Sequence, residues 1–86
     1  MLDGGSQFEI FPTDLHLRRI NTSQNMNRFY RMTVQRELFG GASLIRVWGR
    51  VGTAGRQRID THVDEGRAVS ALMVLAQHKR RRGYKL

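Results

Sequence analysis

A chain of 86 residues has room for one domain that buries only about 60–65% of the surface its unfolded form exposes, so a catalytic cleft with walls of its own is hard to accommodate. A hydrophobic content of 40% is enough for a folded core, and the absence of cysteine excludes disulfides and thiolate metal sites. The formal net charge of +8, from 15 Lys+Arg against 7 Asp+Glu, points to a polyanionic partner, nucleic acid ahead of membrane.

The charge is unevenly spread. Residues 1–43 hold 5 basic and 4 acidic groups, whereas residues 44–86 hold 10 basic and 3 acidic, so the positive field belongs to the second half. Only Lys79 and Lys85 are lysine. The other cations are arginine, whose planar fork suits bidentate phosphate contact and stacking. No window approaches 18 apolar residues, and Met1 to Asp14 has neither a basic n-region nor an apolar h-region. The expectation is a soluble cytoplasmic protein, nucleoid-associated if bacterial, neither secreted nor membrane-bound.

In chain order, residues 1–13 contain Gly4-Gly5-Ser6 and the lone Pro12 and are expected to form a flexible extension, with Phe8, Ile10 and Phe11 able to add an edge strand or cover one end of the core. The domain is expected over residues 14–86. Leu15 to Ile20 alternates, with Leu15 and Leu17 on one face, and is the first strand expected; Asn21 to Asn25 is a polar loop. Arg28 to Glu37 is the second strand, with Tyr30, Met32 and Val34 on one face and Phe29, Arg31, Thr33 and Gln35 on the other. Leu38 to Ser43 connects.

The stretch Leu44 to Arg50 alternates again: Ile45, Val47 and then Val51 share one face, and Leu44, Arg46, Trp48 and Arg50 share the other. The single tryptophan thus stands among arginines, on the face expected to meet solvent or a partner. A bulge at Gly49 would instead turn Trp48 into the core. Gly52 to Gly55 is a hairpin turn, followed by a strand over Arg56 to Val63 with Ile59 and Val63 inward and Arg56, Arg58, Asp60 and His62 outward. Asp64 is a helix N-cap with Glu65 in the first turn. Ala68, Val69, Leu72, Met73, Leu75 and Ala76 form the apolar face of the helix, Lys79 to Arg82 its last turn, and Gly83 its C′ residue. The fold class expected is α+β: a small antiparallel sheet of four or five strands with one C-terminal amphipathic helix packed on one face.

Trp48-Gly49-Arg50-Val51-Gly52 resembles the signature of the WGR domain, a module of poly(ADP-ribose) polymerases and of short bacterial proteins. The resemblance extends to Asn27 to Met32, similar to the family's aromatic strand, to the lead-in Leu44 to Val47, to the turn Thr53 to Arg56, and to the basic close Lys79 to Tyr84. It implies a small antiparallel sheet with one helix, and DNA binding at strand ends or breaks in the setting of DNA repair. Carried over by position, it implies that Trp48 packs on a terminal sugar and base, that Arg50 lies at the same contact, and that Asn27 is a weaker polar contact. No ADP-ribosyl transferase domain fits in this chain, so the resemblance does not by itself carry over the relay to a catalytic domain.

From the residues themselves, Trp48 is a candidate stacking platform, since an aromatic plane against a base contributes roughly 1–3 kcal/mol without base specificity. Arg46, Arg50 and Arg58 are candidate phosphate contacts beside it. Lys79 lies on the apolar stripe, so its ammonium should emerge at the sheet perimeter, and Arg80, Arg81 and Arg82 could neutralise further phosphates or simply complement the helix terminus. Gly49, Gly52 and Gly55 are not a phosphate loop, because no Gly-Lys-Ser/Thr and no helix follow them. His16, His62 and His78 lack metal-ligand spacing, and Asp60 has no partner carboxylate, so no metal, cofactor, catalytic group or small-molecule substrate is expected. The function expected is a non-enzymatic nucleic-acid-binding module, DNA ahead of RNA, with little sequence specificity. The alternative is an interaction or regulatory module whose tryptophan face docks a separately encoded protein.

Overall fold

The computed structural model describes residues 13–86. Phe8, Ile10 and Phe11, and the expected extension apart from Thr13, lie outside the described residues. The strands are β1 (Asp14–Asn21), β2 (Met26–Arg36), β3 (Ala42–Arg50) and β4 (Arg56–His62), followed by one helix, α1 (Glu65–Arg81). The sheet is an antiparallel meander in the order β1-β2-β3-β4, and α1 packs on one face of it, an α+β fold as expected.

Local chemistry sets the connections. A single 3-10 turn over Thr22–Gln24 joins β1 to β2, closed by Asn25 at φ 52, a conformation asparagine tolerates better than most residues. The β3–β4 hairpin depends on Gly49 and Gly55 meeting across it. A Cβ on Gly49 would lie 2.9 Å from the Gly55 Cα, and one on Gly55, at φ +76, would lie 2.5 Å from the Trp48 carbonyl oxygen and 2.9 Å from the Phe29 ring. Close backbone packing, not phosphate binding, accounts for this glycine spacing.

The ends of α1 follow the residues expected. The Asp64 carboxylate accepts from the Arg67 N–H at 2.8 Å, satisfying one of the donors a helix N-terminus leaves free. At the other end the Gly83 N–H donates to the Arg80 carbonyl and the Tyr84 N–H to the Lys79 carbonyl, both at 3.0 Å, with Gly83 at φ 97; this is the Schellman closure. The chain then turns back so that Lys85 exchanges two 2.7 Å backbone hydrogen bonds with Arg18 of β1. That bridge carries Tyr84 into the core.

Leu17, Met32, Leu44 and Leu72 are fully buried, and Ala42 and Ala68 let helix and sheet approach closely. Ala68, Val69, Leu72 and Ala76 are the buried residues of α1; Met73, expected on that face, flanks it and is 47% exposed.

The two faces of the sheet are the reverse of those expected for β3 and β4. Register sets Val34 opposite Leu44, Met32 opposite Arg46 and Tyr30 opposite Trp48, and sets Arg46 opposite Arg58 and Leu44 opposite Asp60. Leu44, Arg46 and Trp48 therefore share the helix-covered face with Tyr30, Met32 and Val34. Ile59, expected inward, pairs with Ile45 on the far face and is 55% exposed; Val63, also expected inward, is 70% exposed. Alternation along β3 gives two faces of similar apolarity, and β1 and β2 decide between them by pairing their large apolar residues with Leu44 and Trp48.

Candidate nucleic-acid interface

The helix is shorter than the face it covers. On the helix-covered face, the rows Tyr30–Trp48–Arg56 and Met32–Arg46–Arg58 run across β2, β3 and β4, with Leu17 of β1 opposite Tyr30. Trp48 is half-buried and stacks on its cross-strand neighbour Tyr30, with centroids 5.7 Å apart and planes at 17°. It is packed against the core without any bulge turning it, because this whole face is the helix face. Arg56 lies opposite it on β4 and is exposed.

Arg46 is a half-buried charge, its side chain 16% exposed. Its Nη2 lies 2.9 Å from the Asp60 carboxylate and its Nη1 donates to the Tyr30 hydroxyl at 3.3 Å, while its Nε is buried without a partner. Burial works against its charged form, but the Tyr30 hydroxyl and the Asp60 carboxylate outweigh burial and raise its pKa. Burial likewise pushes the Asp60 carboxyl up, yet the hydrogen bond from Arg58 and the charges of Arg46 and Arg58 hold it below the usual carboxylate range. Asp60 is thus the counter-ion of two arginines. Arg58 itself reaches into solvent, its side chain 65% exposed.

Lys79 comes to the same place from the helix. Its Nζ lies 4.3 Å above the Tyr30 ring centroid and 5.6 Å from that of Tyr84, rather than emerging at the sheet perimeter. Burial first, and then the charges of Arg82 and Arg46, lower its pKa. Around it is a pocket of about 360 Å³ lined by Tyr30, Arg46, His78, Lys79, Arg81 and Arg82. A larger groove of about 750 Å³ on the β1 side of α1 is walled by Leu15, Leu17, Leu72 and Met73 and gathers fewer charges, Arg80 and Arg81 alone.

Of the residues singled out from sequence, Trp48, Arg46, Arg58, Lys79, Arg81 and Arg82 come together at this end of the helix face. Arg50 lies further along β3, its guanidinium donating to the Asn25 carbonyl and side chain at 3.4 and 3.3 Å. Arg80 faces the apolar groove. Asn27 belongs to the opposite face by alternation on β2, and its carbonyl accepts from the Val51 N–H at 2.9 Å. Tyr30 and Asp60 were missed as members of the site. No local motif marks either residue; the pairing of two adjacent hairpins sets both beside Arg46.

Residues 13–86 match the family model of the WGR domain. A relative from Sinorhizobium fredii, the uncharacterized protein y4dW, is 39% identical over 74 residues, covering 86% of this chain and 36% of that protein. This chain therefore spans little more than a third of that relative's length. No solved structure matches it.

Proposed function

This chain belongs to the WGR family of nucleic-acid-binding modules, and from that membership we propose that it binds DNA, preferentially at strand ends or breaks, with little sequence specificity. The observation that carries the reading is the convergence of Arg46, Arg58, Lys79, Arg81 and Arg82 around the Tyr30–Trp48 pair, with Asp60 as the carboxylate against them. Arginines and a lysine beside an aromatic pair suit backbone phosphates and an unstacked terminal nucleotide, and such contacts carry little base information. Arg50 extends the same side of the sheet past Trp48. We propose no catalytic step.

The test is binding to matched DNAs, one linear or nicked and one a closed circle, across a salt series. Tighter binding to the broken DNA, lost in Arg50→Gln and Trp48→Ala while both variants still melt cooperatively, is the expected result. Equal binding to both DNAs sinks the end preference, and no binding at low salt sinks the DNA reading. A second reading, docking of a separately encoded protein, draws on the far face of the sheet, where Ile59 and Ile20 are 55% and 60% exposed beside half-buried Phe29, Ile45 and Val47. It predicts binding that changes little with salt.

A further inference from the structure

We propose that the β2–β3 loop of one copy of this chain docks, through Leu38 and Phe39, into the groove between β1 and α1 of a second copy, so that copies associate head to tail. The contact does not depend on DNA binding.

Leu38 and Phe39 are the most exposed large apolar residues of the described chain, at 88% and 96%. A tight turn presents them. The Gly40 N–H donates to the Glu37 carbonyl at 3.3 Å and the Glu37 N–H to the Gly41 carbonyl at 3.1 Å, while the Ser43 hydroxyl donates to the Glu37 carboxylate at 2.6 Å. Gly41 fixes the other side, so close to β4 that a Cβ on it would lie 2.8 Å from the His62 carbonyl oxygen. Turn tips are ordinarily polar, and packing inside this fold makes no use of these two side chains. A loop already held in one shape loses little conformational freedom when it docks.

The groove is the complementary half. Leu15, Leu17, Leu72 and Met73 wall about 750 Å³, with Met73 and Val74 47% and 54% exposed at its rim. The loop stands beside Asp64 and Glu65, where α1 begins. The groove follows Leu72 to Arg81, about 10–24 Å further along the same helix at its usual rise per residue. A loop held at one end of α1 meets such a groove only on another molecule.

Charge selects a second copy as the occupant. At a net +8 two copies repel, so contact between them needs a place where the sign reverses. Glu37, Asp64 and Glu65, three of the five acidic side chains among the described residues, line the hollow beside Leu38 with Arg36 as its one cation. The groove carries Arg80 and Arg81. Seating the loop in the next copy's groove sets carboxylates against guanidiniums around an apolar centre, as the rim and core of an interface require. Because its two halves are different surfaces, the contact is heterologous and can repeat from copy to copy. It is also small: burying a Phe side chain removes about 150–250 Å² from water, so the association is weak and transient.

Sedimentation of the full chain from about 10 μM to about 1 mM is the test. Wild type should show a mass that climbs past that of a dimer, half-associated at roughly 0.1 mM. The variants Leu38→Ser/Phe39→Ser and Met73→Glu change exposed positions, should melt within a few degrees of wild type, and should each stay monomeric. Mixed in equal amounts, they should form a one-to-one dimer and nothing larger, since one brings only the groove and the other only the loop. Should Met73→Glu melt low, Val74→Glu on the same rim replaces it. Wild type that stays monomeric throughout overturns the proposal, as does association that both variants leave intact or a mixture that remains monomeric. Flotation with phosphatidylcholine–phosphatidylglycerol vesicles that is lost in Leu38→Ser/Phe39→Ser, without self-association, gives the loop to a lipid surface and overturns it too. Duplex binding should be unchanged in Leu38→Ser/Phe39→Ser, so failure of the head-to-tail contact leaves the DNA reading standing.

Discussion

Asp60 holds two arginines in place, and its removal separates structural from binding roles among the charges. In Asp60→Asn the half-buried Arg46 loses its counter-ion, and stability should fall by about 1–3 kcal/mol in urea denaturation. The pH dependence has a definite sign. The Asp60 carboxyl sits below its unfolded value of 3.8, so its contribution is complete above that value and is lost as pH falls through the folded one. The stability gap between wild type and Asp60→Asn should therefore hold steady above about pH 5 and narrow progressively as pH falls below about 4. A gap that stays constant as pH falls would mean that Asp60 acts through packing. Lys79 contrasts with it: burial and neighbouring charges disfavour its ammonium, so Lys79→Met should leave the melting temperature unchanged or raise it. A drop of several degrees would assign Lys79 to the fold rather than to a ligand.

Among the elements, the β3–β4 hairpin is the one least tolerant of change. Gly55→Ala places a methyl against the Trp48 carbonyl and the Phe29 ring at a positive φ, and should cost more than about 2 kcal/mol and shift the Trp48 environment in near-UV circular dichroism. At the start of α1, Asp64→Ala removes the cap to Arg67 and should cost about 1 kcal/mol without altering DNA binding, because it lies at the end of the helix remote from Lys79. Both features were legible in the sequence, as glycines bracketing a turn and an aspartate before an apolar period. The return of the C-terminal tail onto Arg18 was not. It depends on two backbone hydrogen bonds, which leave no mark on side-chain pattern.

For the molecule as a whole, part of the charge asymmetry gathers where Arg46, Arg81 and Arg82 meet Lys79. Binding through four or five of these side chains predicts a slope of log K against log salt near −4 on duplex DNA, and the double variant Arg81→Gln/Arg82→Gln should flatten it by about 2. A slope near zero would favour a protein partner. The concentration of arginine was readable from residues 44–86, and so was the company kept by Trp48 and Arg46. Their burial was not, because a strand lined by Leu44 and Trp48 on one side and by Ile45 and Val47 on the other is nearly as apolar either way round.

Alone, the sequence determined the elements, the helix caps, the glycine-bracketed hairpin and the family signature, since each is written in spacing or in residues adjacent along the chain. Which face of the sheet the helix covers was decided by tertiary structure. Alternation defines sides only relative to one another, and the choice fell to the register that sets Tyr30 against Trp48 and Val34 against Leu44. The same docking brings Lys79 over Tyr30 from a helix 49 residues further on, a juxtaposition that no local pattern encodes.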